Sequence, residues 1–171
     1  MALEPLVSAE AIQEKVSELA QLICNQGAKD LLLIGVLKGS LHFLSDFSRR
    51  LPCDVEIDFI SVSSYAEGKT SSGIVQIRKD LDTNIEGRDV LIVEDIVDTG
   101  ATLRHLRELL GTRKPRSLKV VSLLSKLQAR GLSSDIEYVG FEIPDEFVVG
   151  YGLDYGERYR NLPYIAILRE G

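Results

Sequence analysis

The sequence predicts an α/β protein with a central, mostly parallel β-sheet flanked by helices. Two apolar runs, at residues 31–36 and 90–93, and a mostly apolar segment at 118–124 are typical of strands that are buried on both faces. Polar residues follow each run, and a helical pattern follows the first two. Because a helix is the usual crossover between parallel strands, this order favours a parallel sheet with its loops at the carboxyl edge.

Length and composition indicate one ordinary domain. The chain has 171 residues, of which 44% are hydrophobic and 27% charged, and no linker interrupts it. The net charge is −6 and the basic residues do not form one block. We therefore expect no nucleic-acid partner and no attachment to an anionic membrane.

Features of export and of membrane insertion are absent from the sequence. No secretion-signal pattern opens the chain, and no stretch approaches the roughly 18 apolar residues of a membrane span. Cys24 and Cys53 are the only cysteines, and each adjoins an apolar element. We interpret them as small core residues in a reducing compartment and expect a cytoplasmic protein.

The first element is predicted to be an amphipathic helix that serves packing. Ser8 is a favourable N-cap, Gly27 is a stop signal, and the helix should run to about Gln26. Its apolar residues recur at helical spacing; they are Ile12, Val16, Leu19, Ala20 and Ile23.

The turn at residues 37–40 joins the first buried strand to a helix over about 41–51. It contains Lys38 and Gly39, which together could hold a diphosphate through backbone amides and one positive charge. A surface lysine in an ordinary turn is the structural alternative. The spacing is not that of a P-loop, because the lysine precedes the glycine.

A half-buried strand is predicted at residues 55–62 from its alternation of apolar and polar residues. Residues 63–73 are polar and contain glycine, so this segment should pack little. It is either a long hairpin loop or a functional loop. Residues 74–77 should return the chain to the sheet as a further strand.

The central motif, residues 90–103, has the pattern of an anion site. A buried strand ends in Glu94 and Asp95, and a polar turn at 98–100 then leads into a helix that runs from Ala101 to about Leu110. Free amides at a helix start that is reached through glycine favour a phosphate. The carboxylates would repel it, so they must face hydroxyls, a magnesium-bridged group or a nitrogen heterocycle.

A sugar phosphate satisfies both demands of this motif. Thr99 and Thr102 add hydroxyl donors to the amides. In the structural alternative, Glu94 and Asp95 only end a strand and the residues after them only cap a helix.

Two later segments could complete a binding site. Lys126 follows the third buried strand, where open α/β sheets bind their ligands. Residues 138–155 are dense in aromatic residues and glycine, and an aromatic ring there could stack on a planar base. A solvated lysine and a core phenylalanine are the structural alternatives. Residues 162–168 should form the last strand.

Residues 94–102 resemble the phosphoribosyl-pyrophosphate motif of the type I phosphoribosyltransferases. Residues 35–40 are similar to that family's pyrophosphate loop, in which the peptide before the lysine is often cis. Residues 139–144 and 147–155 resemble the purine-binding end of its hypoxanthine-guanine members. The resemblance covers about residues 31–162.

This resemblance implies the type I phosphoribosyltransferase fold in a single domain, residues 1–171. The core would span about 8–135, and a small hood would comprise about 136–171 with the N-terminal segment. Ser64 and Tyr65, together with residues 71–73, resemble the flexible lid loop. Self-association as a homodimer or homotetramer is implied as well.

The implied reaction is purine salvage with Mg²⁺: hypoxanthine or guanine and phosphoribosyl pyrophosphate give IMP or GMP and pyrophosphate. The implied 5′-phosphate contacts are Asp98, Thr99, Gly100, Ala101 and Thr102. Asp98 is also the candidate general acid/base. The implied ribose ligands are Glu94 and Asp95, which with Asp154 are also the implied magnesium ligands. The implied pyrophosphate contacts are Lys38, Gly39 and Arg160. The implied purine contacts are Lys126, Phe147 and Val148.

Two alternatives stay open from the sequence. One is a relative that prefers xanthine and guanine, since selection at the purine 2-position depends on contacts a sequence does not specify. The other is a nucleotide-sensing regulator that keeps the fold and binds RNA. A concentrated basic surface would favour the regulator, but the basic clusters at 49–50 and 113–116 are short.

Overall fold

The fold is built on a six-stranded sheet whose middle strands are apolar on both faces. The computed structural model describes residues 1–27, 30–64 and 75–169. Its elements in chain order are β1 (Ala2–Val7), α1 (Ala9–Asn25), β2 (Leu31–Leu37), α2 (Leu41–Arg50), β3 (Val55–Ser64), β4 (Val75–Lys79), β5 (Asp89–Val97), α3 (Ala101–Gly111), β6 (Ser117–Ser125), β7 (Tyr138–Glu142), β8 (Val148–Val149) and β9 (Ile165–Arg169).

The large sheet has the strand order β4-β3-β2-β5-β6-β7. Strands β3, β2, β5, β6 and β7 are parallel, and β4 is an antiparallel edge strand beside β3. The predicted α/β class with a mostly parallel sheet is therefore confirmed. The carboxyl ends of β2, β5 and β6 meet at one edge, and their loops are brought together there.

Helices cover both faces of this sheet. The apolar stripe of α1 is buried as predicted, together with the Phe43 and Phe47 side chains of α2, in a core on one face. Leu103, Leu106 and Leu110 of α3 belong to a second core on the other face. Ser8 caps α1 by accepting a hydrogen bond from the Ala11 N–H at 3.1 Å, and α1 ends at Asn25.

A second, three-stranded sheet has the order β1-β9-β8 and is antiparallel. The sequence predicted neither β1 nor β8, and it started the last strand too early, at 162 instead of 165. Strand β8 has two residues and β1 contains Pro5, so both exist only because β9 supplies their pairing. The division into a core at about 8–135 and a hood at about 136–171 stays a prediction.

Strand β3 extends to Ser64, two residues beyond its predicted end, and β4 begins at Val75. The lid residue Tyr65 and residues 71–73 lie outside the described residues. Among the described helices, none combines the length and the apolar character that a membrane crossing requires.

Candidate active site

The candidate site lies at the carboxyl edge of the large sheet. The parallel register places Gly35 opposite Val93 and Val97 opposite Ser125, so the turns that follow β2, β5 and β6 emerge beside one another. The Leu37–Lys38 peptide in the first of these turns is cis.

Gly39 lies where two other segments approach its backbone closely. A Cβ at position 39 would overlap the Asp95 carboxylate, and a Cβ on Gly152 would overlap the Gly39 carbonyl oxygen. Only a residue without a side chain fits at 39 in this arrangement. The turn after β2, the end of β5 and the turn at 150–154 therefore meet at Gly39.

Glu94 and Asp95 are adjacent carboxylates at the end of β5. Glu94 is buried and Asp95 is half-buried. Burial, together with the charge of Asp95, raises the pKa of Glu94 well above its usual range. Burial raises the pKa of Asp95 to about 6, although the Ile96 N–H and the Arg160 charge oppose the shift. This pair is therefore poorly solvated and suited to accept hydrogen bonds or bind a cation.

The turn at residues 98–102 forms the predicted glycine-containing helix start. Gly100 has a φ of +83°, a left-handed conformation that favours glycine, and α3 begins directly after it. The Ala101 N–H donates to Thr99 Oγ1 at 3.4 Å. Glu94 and residues 96–103 line a cavity of about 110 Å³ at this turn. Its amides and its position fit a compact anion.

Asp98 connects this turn to the lysine after β6. The Lys126 Nζ lies 3.9 Å from an Asp98 oxygen, although Lys126 is only 6% exposed. Arg130 contacts Asp98 at 2.7 Å and Asp145 at 2.8 Å. The sequence analysis missed Arg130 and Asp145, because a surface arginine carries no local signal of a contact 32 residues away.

A second group of charges includes Lys38, which precedes Gly39 in the chain. Lys38 Nζ contacts the Glu157 carboxylate at 2.9 Å, and the same carboxylate contacts Arg160 at 3.0 Å. Arg160 also contacts Asp154 at 3.3 Å and donates to the Gly152 carbonyl at 2.6 Å. Lys38 and Arg160 thus share one carboxylate partner, Glu157, which was not predicted from the sequence.

The aromatic residues of the C-terminal segment lie near the surface. Phe147 is 51% exposed and packs edge-on against Tyr155, with ring centroids 5.8 Å apart. Val148, next to it, is buried and begins β8. The exposed ring of Phe147 is available to a planar ligand, and Asp145 ties the start of this segment to Arg130 and Asp98.

The three predicted metal ligands supply only carboxylate oxygens, the donor type that magnesium prefers. Asp154 is close enough to Asp95 for its charge to raise the Asp95 pKa. Within residues 1–27, 30–64 and 75–169, no three acidic, histidine or cysteine side chains form a group that could hold a metal ion by themselves.

The site thus combines an amide-rich turn, two cations, a buried lysine, an exposed aromatic ring and poorly solvated carboxylates. Except for the lid residues, all predicted site residues are described and lie at this edge, in the end of β5, the turns and the start of α3, or in the C-terminal segment. For Ser64 the structure describes only the backbone. The arrangement can hold a phosphorylated ligand with hydroxyl groups next to a planar ring. The roles of the individual residues stay predictions.

Comparison with known proteins gives a consistent result. A family model for the phosphoribosyl transferase domain matches residues 4–156. The chain is 53% identical over 170 residues to a hypoxanthine-guanine phosphoribosyltransferase of Mycobacterium avium, covering 95% of this chain and 84% of that protein. It is also 53% identical to the protein of that name in Bacillus subtilis strain 168, over 96% of this chain and 92% of that one.

A solved structure confirms the fold. A hypoxanthine-guanine phosphoribosyltransferase from Bacillus anthracis, crystallised with a HEPES molecule in its active site, superimposes with a TM-score of 0.91. The two sequences are 47% identical, and the match covers 97% of this chain and 98% of that one.

The electrostatics of the Glu94 and Asp95 carboxylates predict that the charge needed at the site lowers the stability of the fold. At pH 7 we expect Asp95→Asn to raise the free energy of unfolding of the ligand-free protein by about 1 kcal/mol, because the amide has no charge to desolvate. The gain should shrink as the pH falls through about 6, since the native Asp95 then takes up a proton. Urea unfolding of both proteins at several pH values measures this difference in the free energy of unfolding.

Asp58→Asn is the matched control with the opposite expected sign. Asp58 is also buried, but it accepts N–H groups of Phe59, Asp82 and Thr83 at 2.7–3.0 Å. Burial by itself raises the pKa of Asp58, but these N–H groups outweigh burial and lower the pKa below its usual value. The substitution should destabilise the protein at pH 7 by about 2 kcal/mol, with the loss fading as the pH falls below about 4. Equal effects of both substitutions would contradict this account.

Proposed function

The chain belongs to the phosphoribosyl transferase domain family, and we propose that it is a purine-salvage transferase. It transfers the phosphoribosyl group of phosphoribosyl pyrophosphate to N9 of hypoxanthine or guanine and releases pyrophosphate. The observation that carries the proposal is the contact of Lys126 with Asp98 at 3.9 Å. It joins a lysine suited to a 6-oxo group to the turn suited to a sugar phosphate.

The donor is held mainly by the main chain and by carboxylates. The amides of residues 98–102 bind the 5′-phosphate at the start of α3, where the helix dipole favours negative charge. Glu94 and Asp95 accept hydrogen bonds from the ribose 2′- and 3′-hydroxyls. Their raised pKa values support this role, since a poorly solvated carboxylate gains by accepting such bonds.

Pyrophosphate binds at the turn that contains Lys38 and Gly39. The Lys38 and Arg160 side chains supply its positive contacts, together with the amide of Gly39. Two buried donors beside this loop, Ser40 Oγ and Arg160 Nε, have no hydrogen-bond partner in the described part of the chain. A phosphate ligand that brings several acceptor oxygens is compatible with both.

Magnesium is the proposed cofactor. Asp154 would supply one protein ligand. Asp95, whose pKa the Asp154 charge raises, and the adjacent Glu94 are the other predicted ligands, and oxygens of the donor would complete the set. When bound, Mg²⁺ neutralises charge on the departing pyrophosphate.

The purine is held at the edge formed by the C-terminal segment. Phe147 stacks on the ring, Val148 contributes its main chain, and Lys126 donates to the 6-oxo group. Asp98 lies next to the purine N7 and exchanges a proton with the base as N9 attacks C1′. Arg130 and Lys126 hold the Asp98 carboxylate in place for this step.

We place the enzyme in the cytoplasm, which the low cysteine content of the chain supports. We also expect a homodimer or homotetramer, since apolar side chains such as Leu22 and Leu41 are about half exposed on the described surface.

Nucleotide formation tests the function directly. The purified protein is incubated with phosphoribosyl pyrophosphate, Mg²⁺ and one of adenine, hypoxanthine, guanine or xanthine. We expect IMP and GMP to form and adenine to be inert, because Lys126 needs a 6-oxo acceptor. Preference for xanthine and guanine over hypoxanthine would identify the relative with a different base preference. No nucleotide from any 6-oxopurine would overturn the proposal.

Asp98→Asn should lower turnover by about 10²–10⁴-fold while the protein stays folded. An amide keeps the size of the carboxylate but cannot exchange the proton, so steady-state kinetics should show the loss mainly in kcat. Circular dichroism and thermal unfolding provide the folding control. Turnover equal to that of the wild type would reject Asp98 as the acid/base.

Glu157→Gln should tighten the binding of the donor. The Glu157 carboxylate contacts both Lys38 and Arg160, so pyrophosphate must displace it. Because Lys38 and Glu157 are largely exposed, the ion pair is weak. We expect the KM for phosphoribosyl pyrophosphate and the inhibition constant of pyrophosphate to fall by about two- to fivefold, with little change in the KM for hypoxanthine.

Glu56→Gln is the matched control for this substitution. Glu56 is equally exposed and pairs with Arg88 at 3.2 Å, on β3 and away from the site. Its replacement should leave both constants unchanged. A higher KM for the donor in Glu157→Gln, with Glu56→Gln at the wild-type value, would show that Glu157 assists binding instead of competing with it.

A further inference from the structure

The two cysteines of the chain lie in contact with each other. Cys24 is in the last turn of α1, Cys53 is in the loop between α2 and β3, and their sulfur atoms are 3.6 Å apart. Both are partly buried and pack against the core on the α1 and α2 face. The sequence analysis placed them in the core but had no means to pair them, since 28 residues separate them in the chain.

This pair lies at the edge of the sheet opposite the active site. Helix α1 ends shortly before β2 begins, and Cys53 precedes the first residue of β3 by two positions. Because β2 and β3 are parallel, the thiols adjoin the amino ends of these strands, whereas the catalytic turns follow the carboxyl ends. The proposed reaction therefore does not use either sulfur.

The geometry is close to that of a disulfide. A sulfur–sulfur bond is about 2.05 Å long, so the two sulfur atoms must approach by about 1.5 Å. Rotation about the side-chain bonds can supply part of this approach, and the packing of α1 on α2 holds the two segments together. The two thiols are therefore prepositioned, and only a small adjustment of the chain is required.

Small molecules can reach the pair from solvent, because both cysteines are partly exposed and Cys24 borders a cleft. A surface cleft of about 370 Å³ is lined by Ser17, Gln21, Cys24, Asn25, Arg50 and Pro52. Arg50 gives this cleft a positive charge close to Cys24, which suits a reagent with carboxylates. A peptide disulfide such as glutathione disulfide has this chemistry.

We propose that Cys24 and Cys53 are a modification site: they form a reversible intramolecular disulfide by exchange with a small peptide disulfide. In the first step the Cys53 thiolate attacks one sulfur of glutathione disulfide, a protein–glutathione mixed disulfide forms, and one glutathione thiolate leaves. Cys24 then loses its proton and attacks the Cys53 sulfur, and the second glutathione leaves. Two protein thiols are oxidised, and one glutathione disulfide is reduced to two glutathione molecules.

The order of the steps follows from the environment of Cys24. Burial and the neighbouring Cys53 raise the pKa of the Cys24 thiol to about 11, so at neutral pH it carries almost no thiolate. Cys24 is therefore the resolving thiol. Once the mixed disulfide exists, the proximity of the Cys53 sulfur favours the attack of Cys24 on it.

The expected consequence is stability and not a change in catalysis. The bond links residues 24 and 53 and restricts the unfolded chain between them, which stabilises the native state. Because the pair is at the opposite edge from the catalytic turns, kcat and KM should change by less than about twofold. The site would then protect the fold under oxidising conditions while the enzyme keeps working.

The test uses the full-length protein in glutathione redox buffers of increasing oxidising strength. Thiol alkylation and intact mass should show one intramolecular disulfide, a loss of 2 Da per chain, with no covalent link between chains. The midpoint of thermal unfolding should rise by roughly 5–10 °C in the oxidised form. Nucleotide formation, measured on the same samples, should stay within about twofold.

Single variants separate pairing from general thiol reactivity. Cys24→Ser should stop at the glutathione adduct on Cys53, and Cys53→Ser should react slowly or not at all. Cysteines that stay alkylatable in every buffer, disulfides only between chains, or an unchanged or lower unfolding midpoint in the oxidised form would each overturn the proposal. The result does not depend on which base the enzyme uses, so its failure is distinct from a failure of the proposed function.

Discussion

The close approach of the Gly39 backbone to the Asp95 carboxylate is the constraint on which the site depends. It fixes the distance between the turn after β2 and the end of β5, and it excludes a side chain at position 39. As a result the buried Glu94 carboxylate and the half-buried Asp95 carboxylate lie beside a backbone that can donate to phosphate oxygens. A ligand that fits must present hydroxyls or a divalent ion to the two carboxylates, and it must present phosphates to the backbone amides. These two parts of the ligand must lie within a few ångströms of each other.

The charges of the site are already paired with each other in the ligand-free protein. Glu157 and Asp154 pair with Lys38 and Arg160, while Arg130 lies between Asp98 and Asp145. Binding of a polyanionic substrate is therefore an exchange of ion pairs and not the filling of a bare positive pocket. This explains how a protein of net charge −6 can accept such a substrate: the cations are few, local and released only when a better anion arrives.

The sequence predicted those parts of the fold and site that are determined locally. The α1 helix, the buried strand β2 and the turn at 98–102 follow from periodicity, caps and glycine, and each is observed where expected. Strands β1 and β8 could not be predicted, because their short segments form strands only when β9 pairs with them. Arg130 and Glu157 were missed for a similar reason: each acquires its role from a partner far away in the chain, and exposed charges have no periodicity.

The two edges of the parallel sheet have opposite energetic roles. At the carboxyl edge, Glu94 and Asp95 are held in a poorly solvated position that costs stability, because the site must keep acceptors free for its substrate. At the amino edge no such demand exists, and the segments there are free to pack for stability alone. Covalent linkage of Cys24 and Cys53 at that edge would offset the cost of the carboxylates without touching them, since β2 and β3 separate the two sites by their full length.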